Sequence, residues 1–182
     1  MQDINTVVTF SSRTGRTEKL ALAAALGSVQ ARSFLRLRWL RENVEDQTVA
    51  GVAGWQENRD RMAREYIAPR EIDFLWADVV MLGMPARDGG SGPELKTYLD
   101  GLSALHAAGK LHGKVATAFT ADSSGDGPLV SLCSVLDGLD LIVVPPDPTV
   151  TGDALETARL HGRGITEVAR TLRNRITTSV TK

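Results

Sequence analysis

The sequence has one cysteine, few aromatic side chains and no strong excess of charge of either sign. The lone Cys133 excludes an intrachain disulfide and argues against a cysteine-ligated metal. A formal net charge of -1 argues against a nucleic-acid partner, and 42% hydrophobic residues argues against disorder. No uncharged apolar run approaches the roughly twenty residues that span a bilayer, and no signal-peptide pattern opens the chain. We therefore predict a single cytoplasmic domain over residues 1–182, without metal, nucleic-acid or membrane partners.

Five short apolar segments alternate with helical patterns along the chain. Strands are predicted at residues 4–10, 29–37, 79–83, 115–119 and 141–144. Helices are predicted at residues 17–26, 58–66, 95–102, 129–136 and 155–176. The rest of the stretch from 39 to 72 is predicted to be a loop. This alternation predicts a parallel sheet covered by helices on both faces.

Single glycines and arginines predict further local features. Gly27 is placed to end the first helix. The exposed side of the second strand would carry Arg32, Arg36 and Arg38, which is typical of an edge strand. The last helix has an apolar stripe at steps of three and four, and the arginines off that stripe predict a solvated basic face. Those arginines are Arg159, Arg163, Arg170 and Arg173.

Three polar loops that contain glycine follow the first, third and fourth predicted strands, at residues 11–17, 84–90 and 120–127. Ligands of open parallel sheets bind outside the carboxyl ends of the strands, so these loops converge on one site. The first loop combines four hydroxyls, two arginines and Gly15 before a helix start, where backbone N–H groups bind phosphate. An ordinary N-cap needs one hydroxyl rather than four. The predicted phosphate ligands are Ser11, Ser12, Arg13, Thr14, Gly15, Arg16 and Thr17.

Several segments resemble one known family. Residues 12–18 read SRTGRTE and resemble the phosphate-loop signature S/T-x-T-G-x-T of flavodoxins. Within residues 83–100, GMPARDGG and LKTYLD are similar to the WrbA-type NAD(P)H:quinone oxidoreductases, in which this loop lies along the flavin ring. GKLHGKV at 109–115 and ARLHG at 158–162 resemble the same family. The likeness covers nearly the whole chain except residues 38–72.

The resemblance implies an α/β, flavodoxin-like three-layer sandwich with a five-stranded parallel sheet of order 2-1-3-4-5 and helices on both faces. It implies FMN as cofactor, NAD(P)H as electron donor, and a homo-oligomer, either a dimer or a tetramer. The second loop would border the isoalloxazine ring through Pro85, Ala86, Arg87, Asp88 and Gly89. The third loop would close the other side through Thr120, Ala121, Asp122, Ser123, Ser124 and Gly125. No catalytic side chain is assigned, because hydride transfer to flavin depends mainly on positioning.

The second and third loops depart from the family in having no aromatic side chain, and Asp88 stands where the WrbA-type enzymes have phenylalanine. Arg87 has two open interpretations: it stabilises the anionic reduced ring, or it pairs with Asp88 or Glu94. A flavin ring that no aromatic side chain of these loops covers favours reaction with a docking substrate over one-electron transfer. We therefore predict an FMN-dependent oxidoreductase that passes hydride from NAD(P)H to a quinone-like or other small acceptor. The alternatives are a flavodoxin-type electron carrier and a flavodoxin-like protein that has lost flavin and acts as a binding partner.

Overall fold

Strands and helices alternate along the chain, as the sequence predicts. The computed structural model describes residues 3–85, 93–121, 127–146 and 153–180. The strands are β1 (Ile4–Phe10), β2 (Ser33–Trp39), β3 (Val79–Met84), β4 (Val115–Thr120) and β5 (Ile142–Val143). The helices are α1 (Arg16–Gln30), α2 (Asp46–Ala50), α3 (Trp55–Glu65), α4 (Glu71–Trp76), α5 (Pro93–Ala107), α6 (Gly127–Asp137) and α7 (Ala154–Val180). Among these helices, none combines the length and the apolar character needed to cross a membrane.

All five strands are parallel and lie in the order β2-β1-β3-β4-β5, which confirms the predicted topology. β1 lies between β2 and β3, and Phe10 at its end is level with Trp39 and Gly83. Met84 at the end of β3 is level with Thr120 at the end of β4. The three predicted loops therefore leave the sheet at one common edge.

Each face of the sheet is covered by helices, because successive strand residues alternate between two apolar cores. On one face, Val8 and Met81 pack with α1, α3 and α7 through Ala24, Met62 and Ile165. On the other face, Val7 and Leu82 pack with α4, α5 and α6 through Phe74, Leu102 and Leu136. The predicted three-layer arrangement is confirmed.

The stretch from 39 to 72 holds more helix than the predicted loop with one helical segment. The predicted helix at 58–66 corresponds to α3, which begins earlier, at Trp55. Helices α2 and α4 have 5 and 6 residues, too few to show a periodic pattern in the sequence. Buried apolar side chains anchor the three helices: Val49 in α2, Trp55 and Met62 in α3, and Phe74 in α4.

Helices α1 and α7 cross in direct backbone contact. A Cβ atom on Gly27 would lie 1.9 Å from the carbonyl oxygen of Arg159, and one on Gly162 would lie 2.0 Å from that of Ala24. The buried Ser28 hydroxyl donates a hydrogen bond of 3.1 Å to the Gly162 carbonyl oxygen. The prediction that Gly27 ends the first helix is therefore wrong. Helix α1 continues past it, and the missing side chain lets the two helices pack.

We expect Gly162→Ala to lower the free energy of unfolding by about 3 kcal/mol, because the added methyl group must push the two helices apart. Gly164 lies two residues further along α7, and a Cβ atom there would meet nothing within 4 Å. Gly164→Ala is the matched control and should raise stability by about 0.5–1 kcal/mol, since alanine favours helix. Urea unfolding of both variants measures the difference. Equal effects would contradict the close crossing.

The edge strand β2 starts at Ser33, whereas Val29, predicted to start it, belongs to α1. β2 lies at the sheet edge as predicted, but its arginines are paired. Arg38 forms a bidentate pair with Asp73 of α4 at 2.6 and 2.7 Å, and Arg36 contacts the same carboxylate at 3.1 Å. The Asp73 side chain is completely buried. The prediction that Arg36 and Arg38 lie on an exposed face is wrong, because α4 supplies a buried acidic partner.

Burial raises the pKa of Asp73, but hydrogen bonds from Arg38 and from the Arg70 backbone outweigh burial and hold the pKa below its usual value. We expect Asp73→Asn to lower the free energy of unfolding by about 3 kcal/mol at neutral pH, because the largely buried Arg38 guanidinium loses its buried partner. This loss should shrink as the pH falls through the lowered pKa, where the native carboxylate is protonated as well. Denaturant unfolding at neutral and acidic pH checks this.

The control for that substitution is Asp100→Asn, which removes an exposed ion pair with Lys96. Exposed pairs contribute little, so this change should alter stability by less than about 1 kcal/mol at any pH. A loss for Asp73→Asn that did not depend on pH would contradict the role of the charged carboxylate.

The arginines of α7 make specific contacts, so the predicted solvated basic face is wrong for three of the four. Arg159 donates to a side chain at the end of α1. Arg170 donates to two backbone carbonyls just before β2. Arg173 donates to Asp78, just before β3, at 2.9 Å. Arg163 pairs with a glutamate of its own helix at 3.0 Å. Helix α7 is thus joined to α1 and to the sheet by charged as well as apolar contacts.

Candidate functional site

The carboxyl edge of the sheet brings together the described parts of the three predicted loops. Residues 11–17 are described in full. Because Met84 and Thr120 are paired in register, Pro85 and Ala121 leave the sheet side by side, and both are partly buried. The other predicted ring-side residues lie outside the described ranges, and their roles stay predictions. They are Ala86, Arg87, Asp88, Gly89, Asp122, Ser123, Ser124 and Gly125.

Helix α1 starts directly from the first loop, through Gly15. This glycine is the N-cap residue, with a φ of +82° in the left-handed region that glycine adopts without strain. Because glycine has no side chain, no N-cap side chain accepts hydrogen bonds from the first turn of the helix. The N–H groups of residues 16–18 lie at the positive end of the helix dipole and are donors suited to an anion.

Three hydroxyl side chains of the same loop are buried, those of Ser11, Ser12 and Thr17. Ser12 is 3% exposed and Thr17 is 2% exposed, whereas Thr14 and Arg16 lie on the exposed side of the loop. Among the described residues, the Ser12 Oγ atom has no hydrogen-bond partner. A buried hydroxyl without a partner costs about 1–3 kcal/mol, so a ligand that accepts a hydrogen bond here is favoured. The loop therefore fits a phosphate group, whose oxygens are acceptors.

Two of the predicted phosphate ligands are already held by a carboxylate. The Ser11 hydroxyl donates to Glu42 at 2.9 Å, and the Arg13 Nε atom donates to the other oxygen of Glu42 at 2.7 Å. The Arg13 guanidinium also lies over the ring of Trp55, 4.8 Å from its centroid. Sequence reasoning missed Glu42 and Trp55, which lie in the stretch without periodic pattern. No motif in a single sequence marks such long-range partners.

A second carboxylate lies in the first turn of α1. Glu18 is 5% exposed and accepts hydrogen bonds from the Arg61 guanidinium at 2.8 and 2.5 Å and from the Tyr66 hydroxyl at 2.8 Å. Burial raises the pKa of Glu18, but these hydrogen bonds and the charge of Arg61 outweigh burial and hold the pKa below its usual value. Burial and the bond to Glu18 raise the pKa of Tyr66 to about 12. The Glu18 carboxylate and the Arg61 guanidinium therefore form an ion pair at neutral pH.

Aromatic side chains close the sheet beneath the loops. A Cβ atom on Gly83 would lie 2.4 Å from Cε2 of Phe119 and 3.3 Å from Cβ of Phe10. The ring of Phe119 therefore occupies the space that a side chain on β3 would need. Both phenylalanines are buried. Apolar side chains therefore fill the sheet directly beneath the three loops.

A separate groove of about 570 Å³ lies between α4, α5 and the end of β2. Its floor is apolar and largely aromatic, formed by Trp39, Leu40, Phe74, Tyr98 and Leu102. The Tyr98 hydroxyl donates to Thr9 of β1 at 2.9 Å, and burial raises the Tyr98 pKa. The residues predicted to bind flavin are not among those that line this groove.

The fold and this site define a flavodoxin-like protein, which confirms the resemblance found in the sequence. No protein-family model matches the chain. A WrbA-like flavodoxin from Agrobacterium tumefaciens is 25% identical with a TM-score of 0.63, and the match covers 92% of this chain and 98% of that one. A flavodoxin from the domain Archaea is 14% identical with a TM-score of 0.61, covers 92% and 99% of the two chains, and shows the same fold.

The chain is related to proteins named NAD(P)H dehydrogenase (quinone). It is 26% identical to that of Archaeoglobus fulgidus, over 91% of this chain and 97% of the relative. It is 31% identical to that of Paracoccus denitrificans, over 76% of this chain and 65% of the relative. For that of Deinococcus radiodurans the identity is 27%, over 68% of this chain and 62% of the relative. The chain thus spans less than two thirds of the length of the last two.

We expect the two buried serines of the first loop to respond differently to truncation in protein without ligand. Ser11→Ala removes a hydrogen bond to a carboxylate and should lower the free energy of unfolding by about 1.5–3 kcal/mol. Ser12→Ala removes a buried hydroxyl that has no partner in the described part of the chain, and it should leave stability unchanged or slightly higher. Urea unfolding of both variants measures the contrast. Equal losses would show that the Ser12 hydroxyl is already paired.

Proposed function

We propose that this chain is an FMN-dependent oxidoreductase that takes hydride from NAD(P)H and passes it to a quinone-like or other small acceptor. The observation that carries this proposal is the first loop, which leads into α1 and in which the buried Ser12 hydroxyl has no partner among the described residues. The name shared by the relatives, NAD(P)H dehydrogenase (quinone), supports the donor and the acceptor.

The residues of the first loop would act in two groups. The N–H groups of the first turn of α1, with the hydroxyls of Ser12 and Thr17, would bind the phosphate, and Thr14 and Arg16 would approach it from the exposed side. Ser11 and Arg13 would keep the shape of the loop through the carboxylate of Glu42. When bound, the flavin supplies the hydride acceptor, and the second and third loops would orient its ring and limit the access of water.

The two alternatives differ in what the flavin site does. A flavodoxin-type electron carrier is disfavoured, because the second and third loops have no aromatic side chain to cover the ring. A flavin-free binding partner is disfavoured by the fit of the first loop to phosphate. Three further features stay predictions: a single domain over residues 1–182, a cytoplasmic location, and a homo-oligomer that is a dimer or tetramer.

Purified protein should take up FMN, and a fluorescence titration gives the dissociation constant. Thr14→Ala combined with Thr17→Ala should weaken FMN binding about tenfold or more, because two donors to the phosphate are lost. Thr171→Ala is the control, since its exposed hydroxyl donates to a carbonyl of its own helix α7, and it should leave the affinity unchanged. A protein that takes up no FMN would overturn the proposal and favour the flavin-free binding partner.

Anaerobic stopped-flow mixing separates the enzyme from the electron carrier. The FMN-loaded protein should lose its flavin absorption on mixing with NADPH or NADH, and a benzoquinone added afterwards should restore it. If neither nicotinamide bleached the flavin, the electron-carrier interpretation would be favoured instead.

A further inference from the structure

We propose that Glu18 is a positioning residue for the phosphate loop, and that α3 is part of the cofactor site because it holds this carboxylate in place. The proposal rests on the proposed binding of FMN. It assigns a role to the segment from 54 to 66, which no motif connects to the site. Glu18 does not touch the reacting atoms in this scheme and acts through the first turn of α1.

The carboxylate of Glu18 is held from two directions at once. The Arg61 guanidinium donates to both of its oxygens, a bidentate geometry that fixes orientation as well as distance. The Tyr66 hydroxyl donates a third hydrogen bond, at 2.8 Å. With three hydrogen bonds and 5% exposure, the Glu18 side chain has little freedom to turn. Its backbone N–H, one of the donors of the first turn, is fixed with it.

The same cluster packs against the glycine of the loop. A Cβ atom on Gly15 would lie 3.7 Å from the Glu18 Oε2 atom and 3.7 Å from the Asn58 Oδ1 atom. Asn58 in turn accepts a hydrogen bond from Arg61 at 3.3 Å and donates one to the Gly54 carbonyl at 2.9 Å. The N-terminal turn of α3 therefore supports the point at which the loop turns into the helix.

Both ends of the loop are tied to this cluster. The Tyr66 ring packs edge-on against Phe10, with ring centroids 5.1 Å apart, and Phe10 is the last residue of β1. Glu18 lies one residue after the last predicted phosphate ligand. The loop is thus held at its start through Phe10 and at its end through Glu18. Groups fixed before binding lose less entropy when a ligand arrives, so this arrangement favours phosphate affinity.

The charge of Glu18 by itself works against an anion. A carboxylate next to a phosphate site repels the ligand, even when it is paired with Arg61. Glu18→Gln keeps the size of the side chain and removes this charge, which also leaves Arg61 more available to attract phosphate. Electrostatics alone therefore predicts that the variant binds FMN more tightly. Positioning predicts that it binds more weakly, because one partner of a fixed hydrogen-bond group is lost.

The experiment compares FMN with riboflavin, which lacks the phosphate, by fluorescence titration of each variant. For Glu18→Gln we expect FMN binding to weaken about tenfold while riboflavin binding stays unchanged. Tyr66→Phe keeps the ring against Phe10 and removes the hydroxyl. It should also weaken FMN binding, by a smaller factor than Glu18→Gln. This second variant carries the test if Glu18→Gln fails to fold, as judged by thermal unfolding.

Glu65→Gln is the matched control. Glu65 pairs with the same Arg61 at 2.6 Å, but it is exposed at the end of α3, so both affinities should stay unchanged. Unchanged or tighter FMN binding in both Glu18→Gln and Tyr66→Phe would overturn the positioning role, as would equal losses for FMN and riboflavin. If the wild-type protein binds no FMN, the proposed function and this inference both fail. If the wild-type protein binds FMN but the variants give one of these contrary results, only this inference fails.

Discussion

The direction of helix α1 is fixed near both of its ends, and the proposed phosphate site depends on that direction. Near its last turn, Gly27 meets the α7 backbone so closely that no side chain fits between them. In its first turn, Glu18 is held by Arg61 and Tyr66. At 1.5 Å per residue the two anchors are about 14 Å apart, so a tilt at one moves the N–H groups at the other. Packing far from the loop thus contributes to its geometry.

The sheet was predictable from the sequence because its central strands are buried on both faces. Such strands are rich in apolar residues, as in the continuous run of β3 and the Val7–Val8 pair of β1, and together with the family resemblance they predict the strand order. The edge strand β2 is only partly buried, so its start was placed too early. The sequence does not predict α2 and α4, because helices of 5 and 6 residues are too short to show a periodic pattern.

The loop residues of the site were predictable from their types, but their partners were not. Hydroxyls and glycine before a helix predict a phosphate loop directly. Arg13 looks like a free cation in the sequence, yet its partner Glu42 lies 29 residues away, and 43 residues separate Glu18 from Arg61. A single sequence shows which groups are charged and not which of them meet. The same reason explains why the sequence predicts solvated arginines in β2 and α7.

These pairings change what attracts an anion to the loop. Arg13 is paired with Glu42 and Arg61 with Glu18, so much of the positive charge around the loop is balanced within the protein. Attraction then depends more on the N–H groups of α1 and on the buried hydroxyl of Ser12, which act over short distances and in fixed directions. A site of this kind selects a ligand by the geometry of its acceptors more than by its net charge. In the proposed site two carboxylates would lie beside the phosphate, and both already form ion pairs with arginines.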